Sequence, residues 1–419
     1  MKESYDVIVV GAGASGILAA GRAAELGAKV LLVEKMKQAG RKLLFTGKGR
    51  CNISSDAPQS EYYKNIFPNG RYLKYAFGKF FSGDIVKLLN DQGIDTSVER
   101  GKRIFPASNQ AKDVYSGLMQ WLAAYPVDIL YRSSAQELII RDGKVRGLKI
   151  LKDNKPEIIF AEKLILCTGG RSYPATGSTG DGYRLVREAG HTINTVRPAL
   201  VPLMTEGDLA GRLQGLSLKN TNAVLWVNDQ KYREEFGELL FTHFGLTGPV
   251  ILTLSRFAVQ ELDYHHKVEI SLDLKPALDE QKLDARLLRD IDSNGKKHIE
   301  NLFQQWLPSK MIPVFLDLLK IDGKKEAHQI SSTERKMIRN RMKDLRFKVI
   351  GHRGFKEAII TAGGIATDEV DKKTMQSKLV EGLYFAGELL DLDGNTGGFN
   401  LQIAWSTAWL AAESSVSDL

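Results

Sequence analysis

Apolar residues change rhythm several times along the chain, and each change predicts a different kind of element. Residues 5–10 (YDVIVV) and 29–33 are short apolar runs, and residues 14–26 between them carry apolar side chains at helical spacing. This predicts strand, helix, strand. Over 70–93 the positions of Leu73, Phe77, Phe80, Phe81, Ile85, Leu88 and Leu89 predict helical packing, and 111–124 predicts another helix. Residues 127–131, 135–141 and 145–152 alternate in character, and Asp142-Gly143 makes a tight turn between the last two. The three read as an antiparallel meander, followed by a return strand at 163–167.

Further along, the rhythm shortens. Between 198 and 275 the stretches AVLWV, LLFT, VILTL and KVEISLDL alternate with turn signals such as Asn228-Asp229 and Gly248-Pro249, which predicts a small sheet or barrel. Residues 276–346 are mostly helical in pattern, with cap candidates at Ser331, Ser332 and Thr333. The last stretch returns to strand-and-glycine grammar: a strand over 358–361 before Gly363-Gly364, another over 383–386 before Gly387-Glu388, and a helix over 401–412 after Gly397-Gly398. The expected architecture is an α/β main domain, residues 1–192 and 351–419. It is interrupted by a β-rich insertion, 193–275, completed in part by 330–350, and by a helical insertion, 276–350.

Composition alters this picture little. Of 419 residues, 43% are hydrophobic and 26% charged, ordinary for a globular chain. No apolar run approaches the ~18 residues of a membrane span, and no secretory pattern precedes the first strand, so a cytoplasmic protein is expected. Cys51 and Cys167 are too few for a disulfide framework or a metal cluster. Charge matters more, because the net value is +8 and the densest block, 335–356, holds Lys336, Arg339, Arg341, Lys343, Arg346, Lys348 and Arg353. Such a block reads either as an electrostatic footprint for RNA or as a solvated face opposite acidic stretches elsewhere. Phe347 and Phe355 are its only aromatics and no nucleic-acid motif accompanies it, so a small-molecule substrate ranks ahead of nucleic acid. Monomer and homodimer both stay open.

The candidate chemistry begins where the first strand stops. Gly11-Ala-Gly13-Ala-Ser-Gly16 opens the first helix, and Glu34 ends the second strand, the full context of a dinucleotide fingerprint. Gly11 permits a tight turn, Gly13 lets backbone approach a diphosphate, and Gly16 lets the helix pack. Free N–H groups at the helix N-terminus favour the anion. Glu34 can accept from an adenosine ribose and would repel a 2′-phosphate, so FAD or NAD(H) is expected ahead of NADP(H). The glycine-broken stretch 35–52 should run along the dinucleotide, with Arg41 and Lys42 available to neutralise phosphates. The return strand leads into TGGRSYPATGSTGDG, residues 168–182, which places backbone at the sheet edge but is not a second fingerprint. The paired glycines at 397 and 398 offer a second set of N–H donors.

GRKLLFTGKGRCN, TGGRSYPATGSTGDG, LLFTHFGLTGP, TAGGIATDEVDKKTM and SKLVEGLYFAGELLDLDGNTGGFNLQIAWSTA together resemble the bacterial HI0933-like flavoproteins. That group of NAD(P)/FAD-dependent oxidoreductases includes BaiN-like reductases and proteins called aminoacetone oxidases. The resemblance covers essentially the whole chain. It implies noncovalent FAD in a Rossmann-like fold of the two-dinucleotide-binding-domain type, with inserted β-barrel-like and small helical domains. It also implies that Gly11, Gly13, Ala14, Ser15 and Gly16 hold the diphosphate and Glu34 the ribose. Lys35, Arg41, Lys42, Thr46, Gly47, Gly49, Arg50, Cys51 and Asn52 would line the cofactor, as would Thr168, Gly169, Gly170 and Asp181. Gly387 and Glu388 would lie by the ribityl chain, and Gly398, Phe399, Asn400 and Leu401 would approach the isoalloxazine.

The implied activity is redox. The expected reaction is NADH- or NADPH-linked reduction of a small apolar or conjugated carbonyl substrate, in a pocket over the flavin between the main fold and the β-rich insertion. His243, between phenylalanines in LLFTHFGLTGP, or Tyr173 would supply a proton or stabilise developing charge, since imidazole exchanges protons near neutral pH. The rival role for His243 is that of a hydrogen-bonded packing residue. Rival functions are a flavin-dependent amine or aminoketone oxidase using oxygen, an FAD-dependent tRNA-modifying or RNA-binding protein, and a non-catalytic FAD-binding regulator.

Overall fold

The first apolar run becomes strand β1, Ser4–Val10, and lies inside a seven-stranded sheet. The computed structural model describes residues 4–417. On one side β1 pairs in parallel with β2, Val30–Val33, and on the other with Lys155–Leu166. Val7, Ile8 and Val9 are fully buried, which is why the run is apolar on both faces rather than alternating. Helix α1, Ala14–Glu25, connects β1 to β2. Beyond β2 the next strand is Val127–Leu130, again parallel.

That strand corrects the expected meander. Val127–Leu130 extends the parallel sheet, and the meander is formed by Ser133–Arg141, Lys144–Lys152 and Lys155–Leu166. The second hairpin turns at Asp153 and Asn154, both with positive φ (46° and 62°), as a two-residue turn of matching twist requires. The expected return strand is therefore the far end of one long strand that changes neighbours. Residues 155–160 pair antiparallel with 147–152, and Leu164, Ile165 and Leu166 pair in parallel with Leu383, Tyr384 and Phe385. The final helix, Phe399–Val416, is buried almost all round, including Trp405, Ala408, Ala411 and Ala412.

Contacts divide the chain into two compact units, residues 1–198 with 355–419 and residues Ala199–Gly354. The boundary after 198, rather than 192, follows from Ile193–Ala199 pairing with Ile360–Ile365. In the second unit Leu203–Thr205, Gly245–Thr247, Gln230–Thr242, Ser217–Val227, Val268–Asp273 and Leu345–His352 close, in that order, into a barrel. Helices Glu280–Ser293, Ile299–Phe303, Ile312–Leu319 and Ser332–Lys343 belong to the same unit. Leu225, Phe241, Ile270 and Phe347 from the barrel share one apolar core with Leu287, Phe303, Phe315 and Ile338 from the helices. The β-rich and helical stretches expected as separate insertions therefore have no separate cores. Ser331 caps helix Ser332–Lys343 and forms a capping box with Glu334, as the cap candidates there suggested. Among the described residues no helix is long and apolar enough to cross a membrane.

Candidate functional site

The turn from β1 into α1 is set by close packing. Gly11 has φ +97°, and a Cβ there would sit 2.6 Å from the Cys167 carbonyl oxygen; one on Gly16 would sit 1.7 Å from the Gly11 oxygen. Gly13 is different. Its φ is −80°, and an added Cβ would meet nothing within 4 Å. No side chain caps α1, so its first N–H groups remain available to a ligand.

These groups border an open cleft of about 1270 Å³, counting its mouth. Its lining joins the turn (Gly11, Gly13, Ala14, Ser15) to the end of β2 (Glu34, Lys35) and to helix α2, Arg41–Phe45, with the adjoining Thr46. Thr168, Gly169 and Asp181 come from the stretch after the long strand, and Glu388, Asn400 and Leu401 from the last part of the chain.

Three polar arrangements shape the cleft. The Glu34 carboxylate accepts from Ala12 N at 2.8 Å and Met36 N at 2.7 Å; burial pushes its pKa up and those N–H groups only partly oppose this. Lys35 Nζ donates to Thr179 Oγ1 at 2.5 Å and to Asp181 Oδ2 at 2.6 Å. Burial would raise the Asp181 carboxyl, but the hydrogen bonds from Lys35 and Thr179 outweigh it and leave it below the ordinary range. Lys42 Nζ donates to Ser172 Oγ and Glu388 Oε2, each at 2.5 Å. Glu388 Oε1 accepts from Ser172 Oγ at 2.7 Å and from Thr361 N at 2.8 Å.

The donor set fits a dinucleotide such as FAD. The uncapped helix N-terminus suits a diphosphate and the Glu34 carboxylate suits ribose hydroxyls. Thr168 Oγ1, in the lining, is buried without a hydrogen-bond partner in the protein alone.

Residues 5–414 match the family model described as HI0933-like protein Rossmann domain. The chain belongs to the HI0933-like family. Like the redox enzymes it resembles, this HI0933-like protein is an FAD-dependent oxidoreductase with a Rossmann-like fold. It is 30% identical over 405 residues to the 3-dehydro-bile acid delta(4,6)-reductase of Clostridium scindens, covering 96% of this chain and 97% of that one. It is 29% identical over 412 residues to the ribosomal RNA dihydrouridine synthase of Escherichia coli strain K12, covering 98% of each. Among solved structures, 3-ketosteroid delta1-dehydrogenase from Sterolibacterium denitrificans superposes with a TM-score of 0.51 at 14% identity, covering 99% of this chain and all of that one, a likeness of fold.

Within the HI0933-like fold the remaining expected residues fall outside the cleft lining. Gly16, Gly170, Gly387 and Gly398 are needed for packing: a Cβ on Gly387 would meet Ser15 Oγ at 2.9 Å and one on Gly398 the Ser54 carbonyl at 2.2 Å. Gly47, Gly49 and Arg50 lie on the loop after α2, where Arg50 bonds Glu99 and Asn109 and lies over the Phe105 ring. The Asn52 amide, in its satisfied orientation, accepts from Gly398 N and donates to the Ser54 and Ile104 carbonyls. Phe399 packs edge-on against Tyr62. Cys51 is fully buried, and burial pushes both its thiol and that of Cys167 up to about 12, so neither is a thiolate at neutral pH.

Tyr173 does not line the cleft either. It is a half-buried residue at φ +51° whose N–H donates to the Phe355 carbonyl, and burial, with Glu357 nearby, raises its hydroxyl pKa. His243 belongs to the second unit, on the turn between Gln230–Thr242 and Gly245–Thr247. It is exposed, with its ring edge-on to Phe244 at 5.0 Å, not a buried packing residue. Conversely, the lining includes Gln38, Ser133, Ala135, Thr176, Gly177, Ser178, Leu185, Ile359, Ile360 and Ala404, which the motifs did not mark as cofactor-binding. Of these, Gln38, Thr176–Ser178 and Ala404 lay in stretches that carried a signal, the glycine-broken stretch 35–52, the glycine-rich loop and the C-terminal motif.

Proposed function

We propose that this flavoprotein uses NADH or NADPH to reduce a carbon–carbon double bond conjugated with a carbonyl. The supporting observation is what two relatives that match end to end have in common. One is named for reducing the delta(4,6) bonds of a 3-dehydro-bile acid and the other for making dihydrouridine in ribosomal RNA. The molecules differ, yet in both the reduced alkene is polarised by a ring carbonyl.

In this reading Glu34 would hold the adenosine ribose, beside Ser133, Ala135 and Gly177, which line the same cleft. The α1 N-terminus takes the diphosphate. Arg41, Lys42, Thr46, Ile359, Ile360, Asn400 and Leu401 then line the space for the ring system. Bound FAD supplies the hydride chemistry. The chain must supply a proton to the carbon beside the one that receives hydride, and a hydrogen bond to the carbonyl. Tyr173, kept protonated by its raised pKa, and His243 are the proposed donors.

Anaerobic stopped-flow tests this directly. The FAD-loaded protein should be reduced by NADH or NADPH and reoxidised by members of an enone panel. His243→Ala and Tyr173→Phe should each be examined, and the donor is the residue whose loss slows enone reoxidation about a hundredfold, the lower range for a lost general acid. Unchanged enone reoxidation in both variants removes both residues from the mechanism. Rapid turnover with oxygen and none with any alkene would make the protein an oxidase. A second substrate reading, a uracil ring within RNA, draws on the 98% mutual coverage with the ribosomal RNA enzyme and the net charge of +8. Under that reading uridine-containing RNA, and no free enone, reoxidises the flavin.

A further inference from the structure

We propose that Lys42 is the charge that sets the flavin's reduction potential, that Ser172 positions it, and that the Glu388 carboxylate beside it opposes it with its own charge. This rests on FAD occupying the cleft as proposed above. Three separate chain segments build the arrangement: α2 carries Lys42, the stretch after the long strand carries Ser172, and Glu388 follows Gly387 near the last helix. Both Lys42 and Glu388 line the cleft, with side chains 22% and 13% exposed.

The hydrogen-bond inventory separates their roles. An ammonium has three donors, and two of Lys42's are used, on Ser172 Oγ and Glu388 Oε2. The third is left for a group in the cleft. Glu388 is closer to saturation, since its oxygens accept from Lys42, Ser172 Oγ and Thr361 N. Behind it, Thr361 Oγ1 accepts from Arg171 N at 2.8 Å and Ser172 N at 3.2 Å, and Ser172 and Thr361 are buried. Gly170 leaves the carboxylate room, because a Cβ there would lie 2.8 Å from Glu388 Oε1. Glu388 is thus built into the wall as an anchor, and the mobile end of a lysine is pinned in one place.

A flavin gains negative charge when it is reduced, so a fixed cation beside the ring favours the reduced form, and a nearby anion opposes it. The two charges of this pair should therefore act on the potential with opposite signs. A merely structural cluster would not behave in this way, because damage from either side would push the flavin in one direction.

The test uses FAD-loaded protein, with the midpoint potential measured by equilibration against a reference dye and FAD affinity measured separately by fluorescence. Lys42→Met should shift the oxidised-to-reduced ratio about tenfold against reduction, about 30 mV for a two-electron couple. Glu388→Gln should shift it the other way, Lys42→Arg should restore most of the wild-type value, and Ser172→Ala should give a smaller shift of the Lys42→Met sign. An unchanged potential in Lys42→Met with FAD bound at least tenfold more weakly makes Lys42 a phosphate ligand and overturns the proposal. Shifts of the same sign in Lys42→Met and Glu388→Gln overturn it as well. If Lys42→Met fails to hold FAD, the signs of Glu388→Gln and Ser172→Ala still decide, and like signs refute it. Wild-type protein without affinity for FAD would instead sink the functional reading beneath it.

Discussion

At the residue scale the fingerprint glycines separate into two kinds. Gly16 is required by the fold, because a methyl group there would collide with the Gly11 carbonyl oxygen at 1.7 Å, and backbone cannot rotate away as a side chain can. Gly13 has ordinary φ and open space beside it, so the protein alone does not require glycine at that position. In the proposed reading its constraint comes from the diphosphate that approaches across the cleft. Gly13→Ala should therefore fold with an unchanged urea midpoint in the absence of cofactor, yet bind FAD at least about tenfold more weakly, about 1.4 kcal/mol. Gly16→Ala should lower the cofactor-free midpoint itself. Titration of flavin fluorescence alongside urea unfolding checks both, and equal FAD affinity in Gly13→Ala and wild type would remove the diphosphate from α1. The same distinction explains how residues outside the cleft lining, such as Gly387 and Gly398, can carry a motif: they let lining residues reach their places.

Among the elements, the segment around Thr367–Glu369 is tied to the end of helix Asp181–Glu188 by His191. His191 Nε2 lies 2.7 Å from Ser377 Oγ and Nδ1 lies 3.0 Å from Glu369 Oε2, with the ring edge-on to Phe385. Ser377 Oγ already accepts from Leu379 N and Val380 N, so its proton points to Nε2 and the neutral imidazole donates through Nδ1. Burial lowers the His191 pKa, although the Glu369 charge partly opposes this; Glu369 also accepts from Thr192 N and is itself held low. Both folded-state values lie below their unfolded ones. The His191 contribution is thus complete above the unfolded value of about 6.5 and is lost as pH falls through the lower folded value; the Glu369 loss follows at more acid pH. Wild-type urea midpoints should drop on acidification below pH 6.5, and His191→Gln should flatten that slope, so parallel slopes would count against the tie. Little of this was legible in sequence, because His191, Glu369 and Ser377 meet only through tertiary packing. Legibility followed the locality of the physics. The strand–turn–helix–strand start, the hairpin turn at Asp142-Gly143 and the Ser331 cap could be read from neighbouring residues, and so could the part of the site built from the fingerprint. Val127–Leu130 was read into the wrong neighbourhood because only its partner β2, far away in sequence, identifies it as parallel. Ser133, Ala135, Ile359 and Ile360 reach the cleft as ordinary strand and loop residues, with no chemistry in their side chains to announce them.

For the whole molecule, the excess of positive charge poses the main choice between a polyanion-binding surface and internal neutralisation. The basic block spans helix Ser332–Lys343 and strand Leu345–His352, and acidic residues of the same unit meet much of it. Arg335 and Arg339 reach Asp284, Lys343 reaches Asp273 at 2.5 Å, and Lys348 reaches Glu206 at 2.9 Å. Arg346 bonds Asp344 and Glu269 and lies 4.2 Å from the Trp226 ring centroid. Asp284, Asp273 and Glu269 sit on another helix and another strand of the unit, so these charges join its elements to one another. Exposed pairs contribute little, but Arg339 and Arg346 have side chains only 18% and 31% exposed and each serves more than one acid. Replacing either with Gln should cost the second unit about 1 kcal/mol, the scale of a partly buried ion pair combined with ring stacking. Whatever affinity the protein has for RNA should not change, because these guanidinium groups are already engaged. Urea unfolding followed by a probe in the barrel, Trp226 fluorescence for Arg339→Gln and circular dichroism for both, should show the loss. Gel shifts with bulk cellular RNA across a salt series should superpose for wild type and variants, since a lost phosphate contact would reduce the salt slope by about one. Weaker RNA binding with a shallower slope and an unchanged unfolding midpoint would restore the block as a nucleic-acid surface and move the RNA substrate ahead of the small enone.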